Sequence, residues 1–317
     1  MVEGSVESDS QRGGGGWIPG APGLSAFTLH GGDPSAIPVL IAVPHGGRVY
    51  PRALLRDLRH SETVAQRLED RYIDKVAQGV ARATGAGLLV AHAPRALIDL
   101  NRSPEDIDWE MFVRADRPEG PAALPSRRAR SGLGLVPRRL PGSGELWRRQ
   151  LEGGELADRL AGIHAPYHDT LAKALQALHE RWGAALLIDL HSMPPLPARP
   201  GMAPPQIVVG DRFGAACNGG LVAAAFAQLA ETGREAAHNR PYAGGYVLER
   251  HGDPRRGIHA LQLEIDRSRY LDPALLDPGA GMPTMVEDLG ALVRRLATVV
   301  SELGQDGGGK GWPLAAE

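Results

Sequence analysis

The sequence is poor in cysteine and in long apolar runs, and each scarcity excludes a class of protein. Cys217 is the only cysteine among 317 residues, so an intramolecular disulfide cannot form and a zinc site built on thiolates is excluded. It lies in an apolar stretch between Phe213 and Asn218, and we interpret it as a structural thiol rather than a nucleophile. No window contains the roughly 20 apolar residues that a transmembrane helix needs, so we expect no membrane span.

An excess of charge is also missing. The formal net charge is −2 at pH 7, so electrostatics of the whole chain predict no binding to nucleic acid or to an anionic membrane. The segment from Met1 to Gly20 is polar and glycine-rich, without the apolar core of a secretory signal. We therefore expect a cytoplasmic protein, and no motif indicates an oligomeric state.

The composition that remains is that of a globular protein, with 43% hydrophobic and 23% charged residues. The length suits one large domain, which we place at residues 25–304. Residues 1–24 and 305–317 are rich in glycine or in charge and are predicted to be disordered tails. A long segment, 103–145, is rich in Pro, Gly and Arg and lacks periodicity. It is predicted to be a lid, a binding loop or a disordered insertion, and its arginines are expected to be solvated.

Short apolar runs alternate with longer amphipathic ones. The predicted strands are Val39–Val43, Gly87–Ala91, Ala184–Asp189, Gln206–Gly210 and Ala260–Ile265. The predicted helices are Glu62–Arg82, Glu155–Trp182 with an interruption near Pro166, Leu221–Thr232 and Met285–Leu303. Strands that alternate with helices indicate an α/β fold, with a mainly parallel or mixed central sheet covered by helices on both faces.

Histidines follow two of the predicted strands. His45 comes after the first strand and is followed by two glycines, while His191 comes at the end of the strand that contains Asp189. Loops at the carboxyl ends of parallel strands meet at one edge of the sheet, so the two imidazoles are expected to lie close together. Alternation places Asp189 on the same face as His191, where it can orient the imidazole. The pair predicts a metal site.

A catalytic zinc site needs a third protein ligand and an open position. The carboxypeptidase spacing His-x-x-Glu is excluded because residue 48 is an arginine. The segment after His45 offers three carboxylates instead, Glu69, Asp70 and Asp74. Their spacing fits a solvated helix face as well as a ligand, so the choice among them stays open.

Further polar residues suit a hydrolytic site. Glu264 lies on a predicted buried strand, where burial raises the pKa of a carboxylate and favours a general base; an ion pair with Arg267 or Arg269 is the alternative. Arg102 could bind a substrate carboxylate through two hydrogen bonds. The loop Asn239–Tyr246 is polar and contains glycine, as pocket-forming loops often do.

Taken in order, these motifs resemble the N-formylglutamate amidohydrolase family. The segments that carry the resemblance are Val43-Pro-His45-Gly-Gly, Asp70-x-x-x-Asp74, Ile98-Asp-Leu-Asn101-Arg102-Ser, Pro166-Tyr-His168, Ile188-Asp-Leu-His191-Ser192, Pro241-Tyr-Ala-Gly-Gly-Tyr246 and Gln262-Leu-Glu264-Ile-Asp-Arg267. They span roughly residues 35–300. The chain departs from the family pattern at Gly47 and Arg71.

The resemblance implies a phosphorylase/hydrolase-like fold and a cytoplasmic enzyme of histidine degradation that converts N-formyl-L-glutamate to formate and L-glutamate. It implies one divalent metal, zinc or else manganese or cobalt, bound by His45, Asp70 and His191. Glu264 is implied as the catalytic base, and Arg102, Asn101 and Tyr246 as residues that bind a small carboxylate substrate. The alternatives are a metallohydrolase of the same fold with another N-acyl amino acid or peptide as substrate, and a non-catalytic carboxylate-binding protein.

Overall fold

A computed structural model describes residues 13–31, 35–117, 126–140, 142–198, 201 and 203–307. Its strands are β1 (Gly13–Gly15), β2 (Phe27–His30), β3 (Val39–Val43), β4 (Gly87–Ala91), β5 (Arg139–Leu140), β6 (Gly144–Glu145), β7 (Ala185–Met193), β8 (Ile207–Gly210), β9 (Ala236–His238) and β10 (Ile258–Asp266). Eight of them form one sheet in the order β1-β2-β4-β3-β7-β10-β8-β9, while β5 pairs with β6 alone. The central strands β4, β3, β7 and β10 are parallel. Strands β1 and β2 pair antiparallel with their neighbours, whereas β8 pairs antiparallel with β10 and parallel with β9. The predicted mixed sheet is confirmed.

Helices cover both faces of this sheet. They are α1 (Arg52–Asp57), α2 (Ser61–Leu68), α3 (Ile73–Thr84), α4 (Arg127–Arg130), α5 (Gly153–Arg159), α6 (Ala165–Trp182), α7 (Gly219–Glu231), α8 (Tyr246–His251) and α9 (Met282–Gly307), and a π-helical turn at Leu160–His164 joins α5 to α6. One apolar core lies between the sheet and α3, α7 and α9. A second core lies on the other face, under α6, α8 and the segment after β4. No helix in the described part of the chain is long and apolar enough to cross a membrane.

The single helix predicted for Glu62–Arg82 is wrong. Helix α2 ends at Leu68, and α3 begins at Ile73. Between them Glu69 is extended, and Tyr72 adopts a left-handed conformation with φ 55°. The break lets the Asp70 backbone N–H donate to the carbonyl of His45 at 3.0 Å. Asp70 is thus held beside the turn after β3 instead of on a helix face.

The predicted N-terminal tail is wrong for residues 13–24. Gly13–Gly15 forms an edge strand on β2, and Ile18 is buried in the core. The glycines in this segment predicted a flexible tail, but in the structure they allow close packing. A Cβ on Gly15 would lie 2.4 Å from the ring of Phe27. Residues 1–12 and 308–317 lie outside the described residues, and 305–307 belong to the end of α9.

The segment 103–145 is also more ordered than its composition suggests, although 118–125 and 141 lie outside the described part. Phe112 and Leu135 are buried in the core. The Leu135 backbone accepts a hydrogen bond from the N–H of Asp99 and donates one to Asp106, both at 2.7 Å. This segment therefore packs against the carboxyl edge of the sheet and forms part of the wall of the candidate site.

Candidate functional site

Three buried side chains meet at the carboxyl edge of the sheet. His45 lies two residues beyond β3, His191 lies near the end of β7, and Asp70 lies in the break between α2 and α3. Each offers one ligand atom, and these atoms lie within 4.8 Å of one another. Asp70 Oδ2 is 3.1 Å from His191 Nδ1 and 3.6 Å from His45 Nδ1. The structure thus brings together the residues of the predicted metal site.

The turn after β3 depends on Gly47. A Cβ at this position would lie 2.1 Å from the carbonyl oxygen of Ala93, which is backbone and has little room to move. Gly47→Ala is therefore expected to lower the free energy of unfolding by about 1–3 kcal/mol, the usual range for forcing extra atoms into a packed site. Denaturant titration measures this change.

Gly154→Ala is the matched control for Gly47→Ala. Gly154 lies in α5 with no atom within 4 Å of an added Cβ. Alanine there is expected to leave stability unchanged or to raise it by about 0.5–1 kcal/mol, because helices prefer alanine to glycine. Equal effects of the two substitutions would contradict a specific steric requirement at Gly47.

A buried carboxylate contacts the Nε2 atom of each histidine, while the Nδ1 atom faces Asp70. His191 Nε2 lies 2.8 Å from Asp189 Oδ2, the contact predicted from strand alternation. His45 Nε2 lies 2.7 Å from Asp99 Oδ1, a partner that sequence reasoning missed. Burial opposes the charge of Asp99, but Arg95 and His45 hold its pKa well below the usual range, so it is ionised. Arg95 contacts the other oxygen of Asp99 at 2.8 Å.

These contacts determine which ring nitrogens remain for a ligand. If each Nε2 donates its proton to a carboxylate, each Nδ1 presents a lone pair toward Asp70 Oδ2. Two lone pairs and a carboxylate oxygen directed at one buried point repel one another unless a cation or a proton lies between them. Burial disfavours charge on His191, but Asp189 and Asp70 raise its pKa well above the ordinary value, so a proton can fill that role. A His–Asp–His set is also one that zinc accepts, so the donors fit a divalent ion.

The three carboxylates left open by the sequence have separate positions. Glu69 accepts hydrogen bonds from the Tyr50 hydroxyl at 2.9 Å and from Arg71 at 3.0 Å. Asp74 forms a two-contact ion pair with Arg48 at 2.9 and 2.8 Å. Of these three carboxylates, Asp70 is the one that joins the histidine cluster.

The charge of Asp70 is stabilised on both oxygens. Burial opposes ionisation, but the hydrogen bond with His191 and the nearby imidazole of His45 hold the pKa of Asp70 well below its usual range. Arg267 contacts Asp70 Oδ1 at 3.1 Å and leaves Oδ2 to the histidines. The alternative of an ion pair between Glu264 and Arg267 or Arg269 is not formed, because Arg267 pairs with Asp70 and Arg269 lies 3.6 Å from Asp266.

Glu264 lies beside the cluster, opposite His191 in the register of β10 and β7. Its Oε1 accepts a hydrogen bond from Gln262 Nε2 at 2.9 Å. Burial raises the pKa of Glu264 to about 7, with Asp70 and Asp189 adding to the rise and His191 opposing it. Glu264 also lines a cavity of about 180 Å³ that contains the three clustered residues. A carboxylate with this pKa can exchange a proton near neutral pH.

Two of the residues predicted to bind substrate lie at this cavity with different surroundings. Arg102 is buried, and its guanidinium donates to the backbone carbonyls of Leu133 at 3.0 Å and Asn101 at 2.7 Å. The Asn101 amide contacts Gln262 at 3.2 Å and accepts from the Val247 N–H at 2.9 Å. Asn101 thus connects β10 to α8 behind the cluster, and its contact with a substrate stays a prediction.

Tyr246, unlike Arg102 and Asn101, does not line the cavity that contains the cluster, and its contact with a substrate stays a prediction. Its hydroxyl accepts a hydrogen bond from Arg250 at 2.9 Å, and its ring packs against His168. Tyr246 lines a neighbouring, outer cavity of about 550 Å³ rather than the cavity with Glu264. Tyr242, four residues earlier, lines the inner cavity instead. The sequence contained both tyrosines in one motif, without a signal to choose between them.

His168, which the sequence left between a packed helix start and a site role, is buried away from the cluster. Its Nε2 lies 3.0 Å from the carbonyl oxygen of Leu100, and its Nδ1 lies 3.0 Å from His251 Nε2. Burial, together with the neighbouring His164 and His251, lowers the pKa of His168 to about 2, so it is neutral. It supports the backbone that carries Asn101 and Arg102.

Comparison with known proteins identifies the family of this chain. Residues 37–271 match the family of N-formylglutamate amidohydrolases. An N-formylglutamate deformylase of Pseudomonas putida is 34% identical over 238 residues, which cover 74% of this chain and 82% of that protein. A second, from Pseudomonas aeruginosa, is 30% identical over 262 residues, 82% of this chain and 91% of its own length.

A solved structure shows the same likeness in three dimensions. The N-formylglutamate amidohydrolase of Ralstonia eutropha JMP134 superposes with a TM-score of 0.78 at 31% sequence identity. The match covers 87% of this chain and 99% of that one. The chain therefore belongs to the N-formylglutamate amidohydrolase family, and it is a hydrolase that acts on an amide bond.

Proposed function

We propose that the protein is a cytoplasmic enzyme of histidine degradation that hydrolyses N-formyl-L-glutamate to formate and L-glutamate, with one divalent metal ion bound by His45, Asp70 and His191. The observation that supports this most directly is the position of buried Glu264 beside the His–Asp–His cluster, in a cavity lined with arginine. Zinc is the ion we expect, with manganese or cobalt as alternatives. The names of the relatives indicate the formyl substrate.

The charge of the cavity supports a substrate with two carboxylates. Five arginines line it: Arg67, Arg95, Arg102, Arg128 and Arg267. Arg95 pairs with Asp99, and Arg267 pairs with Asp70. Arg102 and Arg128 have no carboxylate partner among the described residues. Arg102 is proposed to bind a substrate carboxylate, because a guanidinium matches a carboxylate through parallel hydrogen bonds.

The side chains around the cluster suggest how the amide is cleaved. A divalent ion, when bound, lowers the pKa of a coordinated water and polarises the carbonyl of the scissile amide. Glu264 accepts a proton from the water that adds to the formyl carbon, and it then donates this proton to the nitrogen as the carbon–nitrogen bond breaks. The products are formate and the free amine of glutamate. Glu264 can do both because its pKa of about 7 lies near neutral pH.

Asp99 is expected to matter for metal binding although it does not face the cavity. Asp99→Asn removes the charge that orients His45 and that pairs with Arg95, so metal affinity should fall about 10–100-fold. Competition with a chromophoric zinc chelator measures the affinity. Asp158→Asn, on an exposed position of α5, should leave it unchanged. Unchanged affinity in Asp99→Asn would show that His45 does not need this carboxylate.

One preparation can test the proposed function. Metal content and hydrolysis of N-formyl-L-glutamate should be measured on the same purified sample, with N-acetyl-L-glutamate and small peptides as competing substrates. The proposal expects about one divalent ion per chain and the highest kcat/KM with the formyl compound. Preference for another N-acyl amino acid or a peptide would overturn the proposed substrate. Ligand-induced stabilisation without turnover, with zinc, manganese and cobalt supplied in turn, would overturn the catalytic role.

A further inference from the structure

We propose that Arg128 binds the substrate carboxylate farther from the scissile bond and thereby selects dicarboxylates over monocarboxylates. This inference rests on the proposed function and assigns a role to one residue of the arginine-rich segment. Composition alone favoured a solvated loop for that segment, and no motif singled out Arg128.

The backbone around Arg128 is anchored although its side chain is exposed. The Ser126 hydroxyl caps α4 by accepting the N–H groups of Arg128 and Ala129, both at 3.1 Å. Ala129 is fully buried, and the Arg128 carbonyl accepts the N–H of Leu133 at 2.8 Å. Hydrogen bonds thus hold the backbone of Arg128 in place. Its side chain lies at the boundary of the two cavities and lines both of them.

Among the described residues, the Arg128 guanidinium has no hydrogen-bond or ion-pair partner. Elsewhere in the same segment, Arg138 forms ion pairs with Asp108, Glu110 and Glu145. Arg128 forms no side-chain hydrogen bond or ion pair within the described ranges, which omit 118–125 and 141. Arg130 is also exposed on α4, but it lines neither cavity. Arg128 and Arg130 are both exposed and charged, but of the two only Arg128 lines the cavities.

Like charges around Arg128 favour an anion at this place. Burial lowers the pKa of Arg102, and the positive charges of Arg95 and Arg128 lower it further. Arg128 also acts on Tyr242, where its charge opposes the rise in pKa caused by burial and by Glu264. Asp99 and Asp106 oppose the lowering of the Arg102 pKa, but neither forms an ion pair with Arg102 or Arg128 in the described part of the chain, so the repulsion between the two guanidinium groups favours a bound anion.

The depths of the two arginines suggest which carboxylate each one binds. Arg102 is buried and follows Asn101, whose amide lies 3.3 Å from His191 Nε2. Arg128 is exposed and lies at the opening toward the outer cavity. In N-formyl-L-glutamate the α-carboxylate is attached next to the scissile nitrogen, and the other carboxylate lies two methylene groups farther out. The inner arginine therefore suits the α-carboxylate, and Arg128 suits the distal one.

A comparison of two substrates in three enzymes tests the inference. N-formyl-L-norvaline has a methyl group where N-formyl-L-glutamate has the distal carboxylate. Arg128→Ala should lower kcat/KM for N-formyl-L-glutamate about 10–100-fold, the effect of a lost charged hydrogen bond. For the norvaline compound it should change less than about 3-fold, because no partner is lost. Arg130→Ala, the matched control, should leave both substrates unchanged.

The outcomes separate this inference from the proposed function. If wild-type enzyme hydrolyses neither compound, the proposed function fails, and the inference fails with it. If wild-type enzyme hydrolyses N-formyl-L-glutamate but Arg128→Ala loses equally on both substrates, or on neither, the inference alone is overturned. Thermal unfolding of Arg128→Ala should match that of the wild type, since an exposed side chain without a partner is removed.

Discussion

Replacement of Glu264 by glutamine is expected to lower kcat for N-formyl-L-glutamate about 10²–10⁴-fold, the usual contribution of general acid–base catalysis. Glutamine has nearly the same shape but cannot accept the proton of the attacking water. Its amide oxygen can still accept the hydrogen bond from Gln262, which Glu264 accepts at 2.9 Å. Glu264 is not part of the His–Asp–His cluster, so metal content should stay at the wild-type value. Steady-state kinetics and elemental analysis measure the two quantities.

The pH dependence of wild-type activity is a second test of Glu264 as the catalytic base. Burial raises its pKa to about 7, and a base must be ionised to accept a proton. The value of kcat/KM should therefore fall as pH drops below about 7 and level off above it, and a bound cation would move this limb to lower pH. Glu231→Gln, on the exposed end of α7, is the control and should keep wild-type kinetics. Full activity in Glu264→Gln, or loss of its metal, would reject Glu264 as the base.

The position of the two histidines could be predicted from the sequence because the strands before them are unusually clear. Val39–Val43 is buried at every residue, and the predicted strand has the same bounds as β3. Strand β7 is also buried throughout, so its apolar run points to the interior of a parallel sheet. Once two such strands are adjacent, the residues after them meet at one edge. The prediction that the two histidines meet therefore depends on the adjacency of the strands, not on the histidines alone.

Asp70 could not be chosen from spacing because the helix pattern continues across the break. Leu68, Tyr72 and Val76 keep a spacing of four residues, and Leu68 and Val76 are both buried. The chain nevertheless leaves the helix at Glu69, and Tyr72 has a positive φ. Aromatic residues rarely adopt this conformation, so the sequence contained no sign of it. The Asp70 backbone is held by the carbonyl of His45, a contact that depends on tertiary structure.

The sequence contains one signal for Asp99. The residues Ile98-Asp99-Leu100 repeat the pattern Ile188-Asp189-Leu190, and in the structure each aspartate holds one histidine of the cluster. Asp189 was recognised because its histidine is two residues away on the same strand. Asp99 is 54 residues from His45, so only the adjacency of β3 and the segment after β4 reveals the pair. Tertiary structure also separates the two tyrosines of one motif, since α8 begins at Tyr246 and turns that side chain toward His168, whereas Tyr242 lines the inner cavity.

His191→Ala is expected to abolish metal binding. Removal of this imidazole leaves His45 and Asp70 as the protein ligands, one fewer than catalytic zinc sites use. Elemental analysis after dialysis should find about one divalent ion per chain in the wild type and only traces in the variant. Unchanged stoichiometry would exclude His191 from the ligand set. His259→Ala is the control, because His259 is also buried but lies outside the cluster, and it should keep its metal.

Loss of metal must be separated from loss of structure, because His191 also pairs with Asp189. Asp189 is fully buried, and in the described part of the chain its Oδ1 has no hydrogen-bond partner. Removing His191 leaves Asp189 Oδ2 with only the 3.5 Å contact from Asn101, and breaking a buried ion pair costs about 3–5 kcal/mol. The wild type should gain about 2.7 kcal/mol when zinc is present at 100 times its Kd, because the ion binds only the folded chain. His191→Ala should unfold more easily in the absence of zinc and gain nothing from it, whereas a variant that is merely destabilised would still respond to the ion.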